Sequence, residues 1–421
     1  MSIQINTNKL TESQLTIAEN GLRIELIPKY ATIGPKKYHY AYELNENGCL
    51  DIPYAFAKRT LKLKPASSKS FGRMDAKNFD GDLREEQIIV KNEAIDHLNK
   101  TGSVMISMHV GAGKTITSIN IARTIGLKTL VIVNKIVLMN QWSDAIKHFC
   151  GGATVQILKP KSKKIEADFY IINAINIEKF GIEFFKDIGC VIVDEAHMIM
   201  ASLISRSLLL VHPRYLIGLT ATPYRPDGLD GLLDLYFGSE KIIRELYREH
   251  IVYKVETGFT PETKLTTQGR LDWNAILDSQ SKDETRNELI ISIIKDHPDR
   301  NFLVLVKRVE QGKLLEKRLI DEGESATSLL GSNQMFEKTA RVLIGTCSKV
   351  GTGFDHPKLD TLLLAADVEE YFIQYLGRCM RTRDNIPVVF DLVDDNPIIL
   401  KHYNTRRKIY KKHGGIVKKY N

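Results

Sequence analysis

The groups able to do chemistry in this 421-residue chain come in a fixed order: a lysine and a threonine behind glycines, then paired carboxylates, then arginines. The stretch Val110-Gly111-Ala112-Gly113-Lys114-Thr115 follows the apolar run Val104–Met108 and opens a helical pattern. Its glycines let backbone N–H groups close on phosphate oxygens, and the helix start adds partial positive charge. Lys114 would reach the β- and γ-phosphates of ATP, and the Thr115 hydroxyl would ligate Mg²⁺. The full loop pattern has a glycine where this chain has Met108, so a simple turn stays open as the alternative on this stretch alone. Asp194-Glu195-Ala-His197 ends the apolar run Cys190–Val193. That places its acids at the carboxyl edge of a sheet, where open α/β sheets bind ligands. Asp194 would hold Mg²⁺, and Glu195 would orient and deprotonate an attacking water. An acidic helix start accounts for one carboxylate, but not for two in order behind a phosphate loop.

Further residues join this set less sharply. Arg84 and Gln87 lie upstream of the loop, and a glutamine amide offers a donor and an acceptor together, as an adenine edge requires. A plain exposed glutamine at a helix start is the other reading. In Gln374-Tyr-Leu-Gly-Arg378-Cys-Met-Arg381 the arginines are three apart and share a helical face. Guanidinium groups so placed can stabilise charge developing on a γ-phosphate, worth roughly 10³–10⁵ in rate; a basic amphipathic helix without a ligand is the alternative. Gly353 and Asp355 follow the run Val342–Thr346 and suit a loop facing nucleotide and nucleic acid. Thr220 and Thr222, after Leu216–Leu219, could bridge Asp194 or His197 to a nucleic-acid face and couple hydrolysis to movement.

Holding these groups at strand ends requires parallel sheets. From about residue 83 short apolar runs (Val104–Met108, Leu130–Val133, Tyr170–Ile172, Val191–Val193, Leu216–Leu219) alternate with helical stretches such as Thr115–Ile125 and Ile136–Phe149. Continuous apolar strands between helices imply a parallel sheet covered on both faces. The pattern restarts with Phe302–Val306, Val342–Ile344, Leu362–Ala365 and Val388–Phe390. The fold class is therefore α/β, with domains at 81–245 and 246–421; the polar segment 241–300 holds the connection. Residues 1–80 read as a small β-rich or α+β accessory domain with a hairpin turn at Asn47-Gly48, followed by a linker at Lys64–Gly72.

Composition narrows the setting. No stretch reaches the roughly 18–20 apolar residues of a membrane span, and Met1–Leu10 lacks the apolar centre of a secretion signal, so a soluble intracellular protein is expected. The five cysteines form no Cys-x-x-Cys pair, which points to neither a zinc ribbon nor a disulfide framework. Net charge is +8, and residues 401–421 carry eight Lys/Arg and no acid. A second basic stretch runs from Lys58 to Lys77. Such runs attract phosphate backbones without reading sequence, although a charge run is more often only solvated surface.

Taken together, Arg84 and Gln87, Gly111–Thr115, Asp194–His197, Thr220–Thr222, Gly353–Asp355 and Gln374–Arg381 closely resemble the motifs of superfamily 2 helicases. Asp-Glu-Ala-His, the stretch Leu130–Trp142 and Ser348-Lys-Val-Gly351 resemble the XPB and UvsW branch, most closely UvsW-type branch-migration helicases of phages. Arg225-Pro-Asp227 departs from that branch's Arg-Glu-Asp element. The resemblance implies two tandem RecA-like domains that clamp one ATP with Mg²⁺. Lys114, Asp194, Glu195, Gln374, Arg378 and Arg381 would be catalytic. It implies a monomer that tracks 3′ to 5′ on DNA and remodels single-stranded, forked or four-way substrates in replication, recombination or repair. An RNA or RNA–DNA hybrid substrate, or a nucleotide switch that moves nothing, are the alternatives. Matching nucleic-acid contacts are Asn134, Lys135, Gln141, Trp142, Lys307, Arg308, Thr346 and Ser348. Trp142 sits at helical spacing after Leu138, so core and base-stacking platform are both open. The basic tail from Lys401, with Tyr403 and Tyr410 on one face, is expected as a helix beside this path.

Overall fold

Two seven-stranded sheets, parallel throughout, organise the chain. The computed structural model describes residues 1–26, 37–75, 78–109, 111–199, 207–221, 230–267, 269, 271–333, 335–350, 356, 358–368, 372–380 and 385–420. Residues Met1–Arg244 form one compact unit and Glu245–Asn421 the other.

The first unit begins with β1 (Ser2–Asn6), α1 (Glu12–Gly21), β2 (Arg23–Leu26), β3 (Lys37–Tyr40), β4 (Glu43–Leu44), β5 (Cys49–Pro53) and α2 (Tyr54–Arg59). Strands β1, β5 and β4 make a small antiparallel sheet, and β2 pairs with β3. The expected hairpin forms between β4 and β5, with Gly48 taking the left-handed conformation (φ +67°) that closes it. Thr11 and Gln14 start α1 with a reciprocal capping box. These elements share one hydrophobic core with the first parallel sheet: Ile52, Tyr54 and Phe56 pack in the same cluster as Met105, Leu130 and Leu216. The Tyr54 hydroxyl donates to the Arg214 carbonyl at 2.6 Å, and Ser2 bonds to Leu209 and Val211. The stretch expected as a linker is pinned too. Phe71 and Met74 are buried, and Gly72 bonds to Asp187 and Lys128 through its backbone.

Then follow α3 (Glu85–Thr101), β6 (Ser103–Met108), α4 (Lys114–Ile125), β7 (Thr129–Val133), α5 (Ile136–Phe149), β8 (Val155–Leu158), β9 (Phe169–Asn173), β10 (Cys190–Val193), α6 (Ala196–Ile199), β11 (Tyr215–Thr220), α7 (Asp230–Phe237) and β12 (Lys241–Arg244). The sheet order is β12-β6-β11-β10-β7-β9-β8. Strands β6, β7, β9 and β10 are buried along their whole length, as expected of continuous apolar runs covered on both faces. Because the strands are parallel, Met108, Val133, Val193 and Thr220 all end at one edge.

The second unit holds β13 (His250–Glu256), α8 (Trp273–Lys282), α9 (Glu284–Lys295), β14 (Phe302–Val306), α10 (Val309–Asp321), β15 (Ala326–Leu329), β16 (Val342–Thr346), α11 (Cys347–Val350), β17 (Thr361–Leu364), α12 (Phe372–Cys379), β18 (Val388–Val393), α13 (Pro397–Lys412) and β19 (Gly415–Lys419). Its order is β15-β16-β14-β17-β18-β13-β19. The polar segment 241–300 is thus more than a connection, since β12 completes one sheet and β13 sits inside the other. The basic tail does form a helix, but α13 turns Tyr403, Arg406 and Tyr410 into the core, and residues 415–419 add a strand beside β13. Arg406 lies between Asp391 (Nη2–Oδ1 2.8 Å) and Asp367 (Nη1–Oδ1 2.7 Å), so it is a structural cation rather than a phosphate contact.

Candidate nucleotide site

The candidate phosphate loop lies where β6 gives way to α4. Gly111 and Gly113 take left-handed φ values of +85° and +87°, which glycine adopts without strain. Their N–H groups stand ahead of the first turn of α4, the usual anion site. Lys114 Nζ donates to the Met108 carbonyl at 2.9 Å and lies 3.5 Å from that of His109, so its ammonium is folded over the loop. Thr115 is half-buried at the helix start.

Gln87 braces this loop. It is 2% exposed. Its Oε1 accepts from the Arg84 N–H at 2.8 Å, its Nε2 donates to the Ala112 carbonyl at 3.0 Å, and Arg84 reaches the Gly111 carbonyl at 3.4 Å. A Cβ at Gly113 would run into the Gln87 amide. Both ends of the amide expected at an adenine edge are therefore engaged with backbone in this structure.

The acidic pair closes the site. Asp194 is buried at the end of β10; Oδ1 accepts from the Glu195 N–H at 3.0 Å and Oδ2 from the Trp142 indole N–H at 2.8 Å. Burial and the neighbouring Glu195 push its carboxyl up to about 6, against the indole hydrogen bond and the Lys114 charge, which pull it down. Glu195 has φ +49°, a conformation that costs a non-glycine residue roughly 1–3 kcal/mol and that clusters at functional sites. Its Oε2 is buried and makes no hydrogen bond among the described residues. His197 Nδ1 lies 3.5 Å from that oxygen, too far for a hydrogen bond, and 2.8 Å from the Thr220 hydroxyl at the end of β11.

Trp142 needs a correction. At 1% exposure it cannot stack on a base; it is a core residue of α5 whose donor serves Asp194. Helical spacing signalled the burial, but no local signal named a partner 52 residues away. Around it, Asn134 is half-buried with Oδ1 making no hydrogen bond among the described residues, Lys135 stands at the N-terminal boundary of α5, and Gln141 is exposed.

In the second unit Lys307 is exposed at the end of β14, while Arg308 is held by Asp278 (2.6 Å) and Asn274 (3.0 Å) of α8. Thr346 ends β16 and is buried. Arg378 lies buried in α12. The backbones of Ser348 and Gln374 belong to α11 and α12. Val110, Thr222, Gly353, Asp355, Arg381 and the Arg225-Pro-Asp227 element fall outside the described residues.

The oxygen donors fit a magnesium ion. Asp194 offers the remaining lone pairs of a hard carboxylate and Thr115 a hydroxyl, the kind of sparse protein donor set that Mg²⁺ completes with phosphate and water.

Tandem parallel sheets of this order, with a glycine loop and a paired-acid strand end in the first, have the RecA-like architecture of superfamily 2 helicases. A yeast Dbp5 structure bound to RNA and ADP BeF3 shares the fold, with a TM-score of 0.57 at 14% identity, over 79% of this chain and 89% of that one. A family model described as Type III restriction enzyme, res subunit, matches residues 80–225. The chain is 47% identical to 161L of Invertebrate iridescent virus 6, a protein named as a helicase, over 100% of both. It is 34% identical to 055L of Frog virus 3, also named as a helicase, over 90% of this chain and 88% of that protein. This chain belongs to that family of viral helicases.

Proposed function

We propose that this chain is an ATP-dependent DNA helicase or translocase that remodels forked and four-way DNA, moving 3′ to 5′. The carrying observation is Glu195: a carboxylate on a strained backbone, with a buried oxygen that makes no hydrogen bond among the described residues, beside Asp194 within reach of the Lys114 charge. Such an acid is poised to take a proton from water. The triphosphate would lie on residues 111–115, with Lys114 leaving the carbonyls of Met108 and His109 for the β- and γ-phosphates. Magnesium, held by Thr115 and Asp194, would neutralise charge shared by the phosphates. Glu195 would orient and deprotonate the attacking water, and His197 with Thr220 would pass the change to the nucleic-acid face. By the motif resemblance, Gln374, Arg378 and Arg381 would serve catalysis, and Gly353 and Asp355 nucleotide binding.

Asn134, Lys135, Gln141, Lys307, Thr346 and Ser348 would follow the nucleic-acid strand, chiefly through phosphates, which implies weak sequence preference and strong salt dependence. The preference for branched DNA rests on the motif resemblance to the UvsW branch. The test is ATP turnover with matched single-stranded DNA, fork, four-way junction and RNA. Greatest stimulation by fork and junction is expected. Stimulation mainly by RNA replaces the substrate with RNA, and turnover indifferent to every nucleic acid leaves a nucleotide switch.

A further inference from the structure

We propose that Trp142 is a positioning residue for the cation site: its indole N–H fixes the Asp194 carboxylate in the one orientation that presents its remaining lone pairs to a magnesium–nucleotide complex. The proposal rests on the ATP reading above and extends it to a residue that the motifs place elsewhere.

A carboxylate at a strand end is free to turn about its χ2 torsion unless both oxygens are held. Here the Glu195 N–H takes Oδ1 and the indole takes Oδ2, at 3.0 and 2.8 Å. The backbone donor comes from the adjacent residue and so follows Asp194 wherever it goes. The indole is anchored independently, in α5, among Leu138, Met139 and Ile146 of the core. It therefore supplies an external reference for the carboxylate. An indole N–H only donates; it cannot compete for the cation or take a proton from the acid. A lysine or arginine in its place would neutralise the carboxylate and weaken its hold on a divalent ion. Donors of this kind, one step out from a metal, typically change metal affinity 10–100-fold when removed.

The experiment uses the full chain and mant-ADP, a fluorescent ADP, as probe. Its anisotropy is titrated in EDTA and across a range of MgCl₂ for the wild type, Trp142→Phe and Asp194→Asn. Trp142→Phe keeps an aromatic ring in the core and deletes the donor. The expected result is a rise of about tenfold in half-saturating Mg²⁺, with mant-ADP affinity in EDTA unchanged within about twofold. Wild-type magnesium dependence in Trp142→Phe overturns the proposal, as does an equal loss of affinity with and without magnesium, which marks general damage to the core. Should Trp142→Phe fail to fold, the unmutated donor can be watched directly. The chain has two tryptophans, Trp142 and Trp273. With ¹⁵N-labelled tryptophan, and Trp273→Phe for assignment, the Trp142 indole resonance should move when MgCl₂ is added to the ADP-bound protein; a resonance that stays put overturns the role. If the wild type binds no mant-ADP in either condition and Lys114→Ala behaves alike, the nucleotide reading itself falls, and the role given to Trp142 falls with it.

Discussion

Asp194 in the first unit and Asp367 in the second are both buried carboxylates just beyond parallel strands, yet they face opposite electrostatic settings. Asp194 has an indole, a backbone amide and another acid for company, and its carboxyl is pushed up to about 6 by burial and Glu195. Burial works on Asp367 in the same direction, but a 2.6 Å hydrogen bond to His402 and the Arg406 guanidinium bring it below the ordinary carboxylate range. The second arrangement is complete in itself and holds β17, β18 and α13 together. The first, with only the Lys114 charge acting on it and no ion pair among the described residues, is the arrangement that the proposed magnesium ion would complete. Burial alone therefore does not mark a site; burial without compensation does.

The largest test of this contrast concerns turnover. Lys114→Ala and Glu195→Gln should each lower ATP hydrolysis by about 10³-fold or more while the melting temperature stays within a few degrees. Steady-state phosphate release and thermal melts check both. Near-normal hydrolysis in either variant would erase the functional half of the comparison.

Next comes the structural half. Arg406→Met should destabilise the second unit by about 3–5 kcal/mol, because it leaves Asp367 and Asp391 buried without their cation. Urea unfolding measures this directly. A loss below about 1 kcal/mol would show that the pair tolerates desolvation on its own.

The two acids should also give the pH profile of stability opposite slopes. Asp194 titrates at about 6 in the folded protein against 3.8 ordinarily. The native chain thus keeps a proton that the unfolded chain releases, and stability falls as pH rises through that window. Asp367 contributes stability that is complete above the ordinary carboxylate range and is lost as pH falls through its lowered native value. In the absence of nucleotide and magnesium, Asp194→Asn should gain on the order of 2 kcal/mol at pH 7–8, with the gain vanishing below about pH 4. Unfolding series at several pH values would show it, and a pH-independent difference would contradict the assignment.

The smallest effect belongs to the loop brace. Gln87→Ala should cost about 1 kcal/mol of stability through its lost hydrogen bonds and raise KM for ATP several-fold with kcat less changed. An altered kcat with constant KM would place Gln87 in the hydrolytic step instead.

Much of the architecture was legible because its signals are local. Runs such as Leu130–Val133 and Phe302–Val306 are apolar at every position, the pattern of a parallel strand covered on both faces. Gly111 and Gly113 announced the loop in the same way. What stayed hidden depends on contacts between distant residues. Trp142 and Asp194 lie 52 positions apart, and Arg406 lies 39 from Asp367. A basic run looks the same in sequence whether it is solvated or, like Arg406, turned inward. The left-handed backbone of Glu195 carries no composition signal at all, since a glutamate is a poor choice for it on conformational grounds alone.

The way β1, β5 and α2 join the first parallel sheet has a practical outcome. Tyr54 ties α2 to the entrance of β11, Ser2 ties β1 to the chain before it, and Ile52 and Phe56 fill the same interior as Leu216. A chain trimmed to start near residue 80 would strip one wall from the core that holds β6, β7 and β11. It should come out insoluble rather than small and active.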